Sequence, residues 1–255
     1  MQYASGVARA PSPAIANGIT SQKVVVNYDL ACQQHLNYIA TLKQLGIAID
    51  VLPANADYPD SHFVEDTAII YQRQAIMTQP GAQERRGEVS AIQPSLQKYL
   101  PTQVINAANA YIDGGDVLQF ANKVLIGISY RTNLAGANAL ANYMQARNSQ
   151  LEVYFIAFSG VLHLKSGIVA LNDETLLISP KIIIDSPLPS VKKIFVPTAE
   201  AYAANSLIAN QHALVFAECQ QTQHLLAQQG LTPIPLDMSE FKKMDGSFTC
   251  LSLLW

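Results

Sequence analysis

The chain has 255 residues, of which 49% are hydrophobic and 14% charged, and its 16 basic and 19 acidic side chains leave a net charge of −3. A chain of this length buries roughly three quarters of its unfolded surface, so it needs no staples to hold a core, and so low a charge excludes a disordered chain. Mild acidity without a Lys/Arg-rich run argues against nucleic acid as a partner.

Residues 1–30 lack an apolar h-region, and no apolar run approaches the ~18 residues of a spanning helix. The expectation is a chain with no membrane segment. Cys32, Cys219 and Cys250 lie far apart with no CxxC. That pattern predicts a reducing, cytoplasmic setting without a disulfide framework.

VVVNY (24–28) reads as a strand. Residues 29–46 read as a helix with Leu30, Leu36, Ile39, Leu42 and Leu45 on one face, opened by Asp29 and closed by Gly46. AIDVLP (48–53) follows as a strand. TAIIYQ and AIMTQ form a hairpin about RQ, followed by a helix at 88–100 and the strand QVINA. DVLQF and VLIGIS make a second hairpin about ANK, followed by a helix at 133–147 and LEVYFIAF. GIVAL and TLLISP make a third, about NDE, but the segment after it supports at most a short helix before KIFVP. SLIAN and ALVFAE make a fourth, about QH, followed by a helix at 218–230. CLSLLW closes the chain.

Hairpin, helix and lone strand thus recur, with hairpins starting near 67, 116, 167 and 206. Steps of about 40 to 50 residues predict a propeller-like or tandem array. A fifth unit assembles from the ends: CLSLLW supplies the hairpin strands, and the helix 29–46 with AIDVLP completes it. Splitting one unit between the termini closes the ring and removes an open edge. The rival is a doubly wound sheet, which needs βαβ alternation. The hairpins and the absence of GxGxxG and GxxxxGK[ST] argue against it. No linker divides residues 1–255, which read as a single α/β domain.

Titratable residues sit at matching points of this repeat. Asp60, Glu65 and Asp66 precede the first hairpin, Asp113 and Asp116 the second and His163 the third; Asp245 and Cys250 precede the last strand. Equivalent points of a pseudo-symmetric ring converge on its axis, which makes a Cys/His/Asp site credible. Taken singly, each residue has a plainer reading. Cys32 and Cys219 read as small core residues. His35, His62, His212 and His224 read as surface or satisfied polar groups, and paired arginines commonly solvate a helix start.

In combination and in order, PDSHFVEDTAII (59–70), PGAQERRGEV (80–89), IDGGDVL (112–118), RTNLAGA (131–137), LHLKSG (162–167) and DGSFTC (245–250) resemble the successive motifs of the dimethylarginine dimethylaminohydrolases. The resemblance runs from the ANGITS segment near residue 17 to the last strand. It implies the five-bladed α/β propeller of the guanidino-modifying enzymes, the penteins. Arginine deiminases share the GGD and cysteine motifs but usually carry HxD, where this chain has His163-Leu164-Lys165, and they tend to be longer. Relatives often have glutamate before GGD, where this chain has Asp113.

By this resemblance, Cys250 attacks the guanidinium carbon, His163 protonates the leaving amine and then activates water, and Asp113 holds the imidazole. Asp60 and Asp66, with Glu65 beside them, accept from the guanidinium nitrogens. Arg85 and Arg131 grip an α-carboxylate, while Ile19, Met244 and Asp245 meet the α-amine. The partner is a small guanidino molecule, and no metal or other cofactor is required. The products are citrulline and methylamines. A deiminase-like amidine hydrolase of the same fold and a non-catalytic pentein that binds a macromolecule are the alternatives. Oligomeric state stays open, a homodimer included. So many carboxylates in one funnel are expected to keep the Cys250 thiol neutral until a cationic substrate arrives.

Overall fold

The computed structural model describes residues 1–21, 25–105 and 107–255. Four hairpins form where expected, because short β-branched runs flank tight turns. Their registers sit a residue away from the sequence reading: Tyr71 pairs Gln74 and Ala209 pairs His212. The turns are therefore Gln72–Arg73 and Asn210–Gln211, with all four residues at positive φ. That is the backbone such two-residue turns demand.

Each hairpin adds one parallel strand. Ala68–Tyr71 and Gln74–Met77 take Thr102–Val104. Val117–Phe120 and Lys123–Ile128 take Glu152–Ser159. Ile168–Asn172 and Thr175–Ile178 take Lys192–Phe195. Leu207–Ala209 and His212–Phe216 take Thr232–Leu236. Helices Arg86–Leu96, Leu134–Gln145 and Gln220–Gln228 make the crossovers in the first, second and fourth sheets. In the third, residues 179–191 form no helix; Ile183–Ile184 instead pairs with Glu152–Ser159 of the second sheet.

The fifth sheet differs from the reading in one respect. Its antiparallel pair is Ser252–Leu254 with Ser5–Arg9, not two strands from the C-terminal run. Ala48–Leu52 then lies parallel to Ser5–Arg9, after the crossover helix Tyr28–Gln44. SGVAR carries little β signal, because glycine, serine and alanine are poor strand formers. Its pairing on both edges and the burial of Val7 and Ala8 make it a strand. The expected strand VVVNY does not form: residues 25–27 carry no regular structure and Tyr28 opens the helix. Val24 lies outside the described residues.

All five sheets thus share one connectivity. A cavity of about 310 Å³ is lined by the leading strand of every one, through Ala68, Val117, Val169, Leu207 and Leu253. Among the described residues no helix is long and apolar enough to cross a membrane.

The helix Tyr28–Gln44 buries Ala31, Gln34, His35, Tyr38, Ile39 and Leu42, while Leu36 turns outward at 61% exposure. The buried face is thus rotated from the leucine stripe. His35 and His62, read from sequence as ordinary polar residues, are both buried, on either side of Phe241. Neither ring nitrogen of His62 makes a well-aligned hydrogen bond. Burial pushes His62 down to about 3 and His35 to about 4. Both fold as neutral rings, so their contribution is whole above pH 6.5 and lost as pH falls towards those values. At pH 5 each costs about 2 kcal/mol of stability. His62→Leu should remove about that much of the stability difference between pH 8 and pH 5 in denaturant titrations. An unchanged difference would rule out His62 as its source.

Candidate active site

Four functional segments occupy the same place in their sheets. Val64–Thr67 precedes the first leading strand, Gly114–Asp116 the second, Leu164–Gly167 the third and Thr249–Leu251 the last. Asp113 and His163 sit at the N-caps of their turns. Side chains far apart in sequence therefore meet. One small cleft is lined by Asp60, Asp66, Arg85, Arg131, His163 and Cys250, together with Ile19, Leu162, Met244 and Asp245.

His163 Nε2 lies 3.0 Å from Asp113 Oδ2 and 3.9 Å from Asp66 Oδ1. Asp113 also accepts from the Gly81 amide at 2.9 Å. Asp66 accepts from the Gly115 amide at 2.9 Å and from Arg85 Nη1. Gly115 is required by space: a Cβ there would come within 2.8 Å of the His163 ring and 2.9 Å of Asp66 Oδ1. Burial alone would lower the His163 pKa. Asp66, Asp113 and Asp116 together outweigh it and lift the imidazole to about 9. Burial likewise opposes ionised Asp66, but His163 and Arg85 hold its carboxyl well below the usual carboxylate range. The result is an imidazolium set between carboxylates.

Cys250 is held in its 3-10 turn by a backbone bond to the Ser247 carbonyl. Burial first, then Glu65 and Asp66, push its thiol far above the ordinary range. The sequence reading had the direction from the carboxylates alone and missed burial as the larger cause.

Glu65 is not among the residues lining the cleft. It faces the central cavity, bonded to Lys165 Nζ at 2.7 Å and to Thr249 Oγ1 at 3.0 Å. Lys165, which departs from the deiminase HxD pattern, thus ties the histidine segment to the cysteine turn. Asp60 accepts from the Ile19 amide at 2.9 Å. Asp245 adopts φ 57° and accepts from the Ser21 amide at 2.6 Å and the Ser21 hydroxyl at 2.9 Å. It therefore fastens the 18–21 segment over the cleft. The cleft is small, with about 30 Å³ of free space, and it opens to solvent.

The two arginines differ. Arg85 is buried and donates to Asp66, to both oxygens of Glu88 and to the Phe63 carbonyl. Arg131 lies 3.7 Å from Asp113, and its Nη1 is buried without a hydrogen bond. Sequence reasoning gave no role to Gly115, Asp116, Lys165 and Glu88, which support the site, although it noted Asp116 and Lys165. Asp116 accepts from the Leu164 amide and the Ser129 hydroxyl, which fixes the turn carrying His163. The GGD and ERRGE runs contained the signal for three of them. Asp66, Asp113 and His163 also offer ligand atoms within 4.8 Å of one another. A cation there would compete with Arg85 and with the His163–Asp113 bond.

Five like-connected sheets carry a half-buried thiol, an imidazolium and carboxylates in one cleft, the layout that the sequence resemblance to guanidino-modifying enzymes implies. The arginine deiminase family model matches residues 55–201. The dimethylarginine dimethylaminohydrolase of Pseudomonas aeruginosa is 32% identical over 97% of both chains. That of Streptomyces coelicolor is 32% identical over 99% of this chain and 97% of its own. A solved structure of a mutant of the Pseudomonas enzyme complexed with citrulline superposes with a TM-score of 0.93 at 31% identity, covering both chains fully. A cyanobacterial arginine dihydrolase domain shares the fold, at a TM-score of 0.83 and 18% identity. The chain belongs to the dimethylarginine dimethylaminohydrolase family.

Proposed function

We propose that this protein hydrolyses Nω-methylated arginines to citrulline and methylamines. The observation that carries this reading is the cleft itself, where Cys250, the His163–Asp113 pair and the carboxylates of Asp60 and Asp66 converge. A guanidinium is a poor electrophile because its charge is delocalised. It needs a strong nucleophile, anions that hold its plane and an acid for the departing amine.

The substrate cation settles against Asp60 and Asp66, offsets the Asp66 charge that helps to raise the thiol and places a positive partner beside sulfur, so Cys250 loses its proton to solvent as substrate binds. Its sulfur forms a bond to the guanidinium carbon. His163 gives its proton to the substituted nitrogen, the C–N bond breaks and dimethylamine leaves. The remaining S-alkyl thiouronium is attacked by water, which yields a proton to the now neutral His163. Collapse breaks the C–S bond, releases citrulline and returns the thiol. Asp113 orients the imidazole through both halves of the cycle. Glu65 acts from the floor through Thr249 and Lys165.

We assign the substrate α-carboxylate chiefly to Arg131, whose Nη1 lacks a hydrogen bond. Arg85 contributes through its field, its donors being taken by Asp66, Glu88 and Phe63. Backbone groups at Ile19 and Met244, with Asp245 nearby, meet the α-amine. Arg131→Ala should lower kcat/KM on dimethylarginine by about 10- to 100-fold, the worth of one charged hydrogen bond. Agmatine lacks the carboxylate, so equal losses on both substrates would give Arg131 another role.

We also read the five sheets as blades around one axis in a single domain over 1–255. The cavity lined by every leading strand supports this arrangement. Three free cysteines suit a reducing, cytoplasmic setting.

The test offers dimethylarginine, arginine and agmatine in parallel and assays ureido product and released amine. Equimolar citrulline and dimethylamine are expected. Arginine turned over faster than dimethylarginine would move the protein to the deiminases, and no turnover of any of the three would overturn the reading.

A further inference from the structure

Glu88 stands outside the reaction as described, yet it is among the most enclosed carboxylates in the molecule, at 3% exposure. Its two oxygens grip one edge of Arg85, with Nε at 3.1 and 3.2 Å and Nη2 at 2.8 Å. The opposite end of the same guanidinium, Nη1, is bonded to Asp66. Asp66 in turn stands 3.9 Å from His163, whose ring is bonded to Asp113. Burial pushes the Glu88 carboxyl up to about 7 against the pull of Arg85, so above that pH charges alternate along a buried line from Glu88 through Arg85, Asp66 and His163 to Asp113.

We propose that Glu88 is a positioning residue that divides the Arg85 cation between two carboxylates and so sets how much negative charge Asp66 presents to His163. This rests on the hydrolase reading for its consequence in turnover, but not for its electrostatics. A guanidinium shared with Glu88 neutralises Asp66 only in part. The residual charge on Asp66 then helps to keep His163 protonated, as the amine-leaving step requires. With Glu88 neutral, Arg85 belongs to Asp66 alone and His163 loses part of that support. Other charges act on the same groups: Asp60 and Arg9 lie in the field of Glu88, and Asp116 in that of His163. None of them bonds the Arg85 guanidinium through a side chain, which leaves Glu88 to do the dividing.

The experiment is an NMR titration of the His163 imidazole between pH 7.5 and 10.5, in the intact protein and without substrate. In Glu88→Gln the midpoint should fall by about one unit from its wild-type position. The alkaline limb of kcat should move down with it, while KM for dimethylarginine changes much less. Glu88→Asp, which keeps the charge, should restore the midpoint. A purely structural role would lower thermal stability and leave the midpoint in place, and that result would overturn the proposal. The paired replacement Arg85→Met with Glu88→Leu covers the case in which Glu88→Gln does not fold, since removing both partners is tolerated better than removing one. There Asp66 keeps only His163 as its cation and the His163 midpoint should rise; an unchanged midpoint would mean that Arg85 does not shield Asp66, and would again overturn the proposal. If wild-type protein fails to turn over dimethylarginine, the hydrolase reading falls, and the titration still decides whether Glu88 acts through Arg85.

Discussion

Cys250→Ser should lower turnover of dimethylarginine by about four orders of magnitude or more, as loss of a nucleophile does in other covalent enzymes. A serine hydroxyl cannot ionise in this cleft. Burial, Glu65 and Asp66 already push the far more acidic thiol upward. The fold should survive, because the segment is held by the Ser247 carbonyl and by the bond from Thr249 to Glu65, neither of which uses sulfur. Cys219 is buried at the start of Gln220–Gln228 and Cys32 is half-buried on Tyr28–Gln44, both outside the cleft. Their serine variants should retain activity per folded molecule. Substantial turnover by Cys250→Ser would end the assignment.

His163→Gln should reduce kcat by about 100- to 10,000-fold, the range for losing a positioned general acid–base. Dimethylamine leaves badly without a proton, and the second half-reaction needs a base for water. The variant also has a stability signature. The folded pKa of about 9 lies above the unfolded value near 6.5. The imidazolium therefore stabilises the fold fully below pH 6.5, and this contribution is lost as pH rises through 9. Relative to wild type, the variant should be less stable by about 3 kcal/mol at pH 6, with the gap closing towards pH 9.5. Denaturant titrations at the two pH values decide it. A gap that is the same at both would mean that His163 is not held as a cation.

The repeat was legible because each hairpin joins two β-branched runs across a short polar turn, and such runs are local signals. The fifth sheet was legible only in half. Ser5–Arg9 becomes a strand through partners more than forty residues away at Ala48–Leu52 and at the far end of the chain. Nothing local in SGVAR announces that. The strand Thr232–Leu236 carries Pro233 and Pro235, which disfavour a central strand. It is tolerated because it lies at a sheet edge, paired on one side only with His212–Phe216.

The site was legible for a related reason. Its residues fall at the same point of each repeat, so their order along the chain encodes their meeting in space. What escaped were interactions between groups distant in sequence. Glu65 pairs with Lys165 a hundred residues on, and Arg85 is divided between Asp66 and Glu88. Burial escaped too: it turns two histidines into neutral core residues and is the largest cause of the rise in the Cys250 pKa.

A rapid acid quench of the protein mixed with excess dimethylarginine, followed by mass spectrometry of its peptides, addresses the chemistry directly. The peptide bearing Cys250 should carry an adduct equal to substrate less dimethylamine, formed no more slowly than citrulline appears, and absent in Cys250→Ser. Citrulline production with no such adduct, or an adduct confined to Cys32 or Cys219, would contradict covalent catalysis at Cys250.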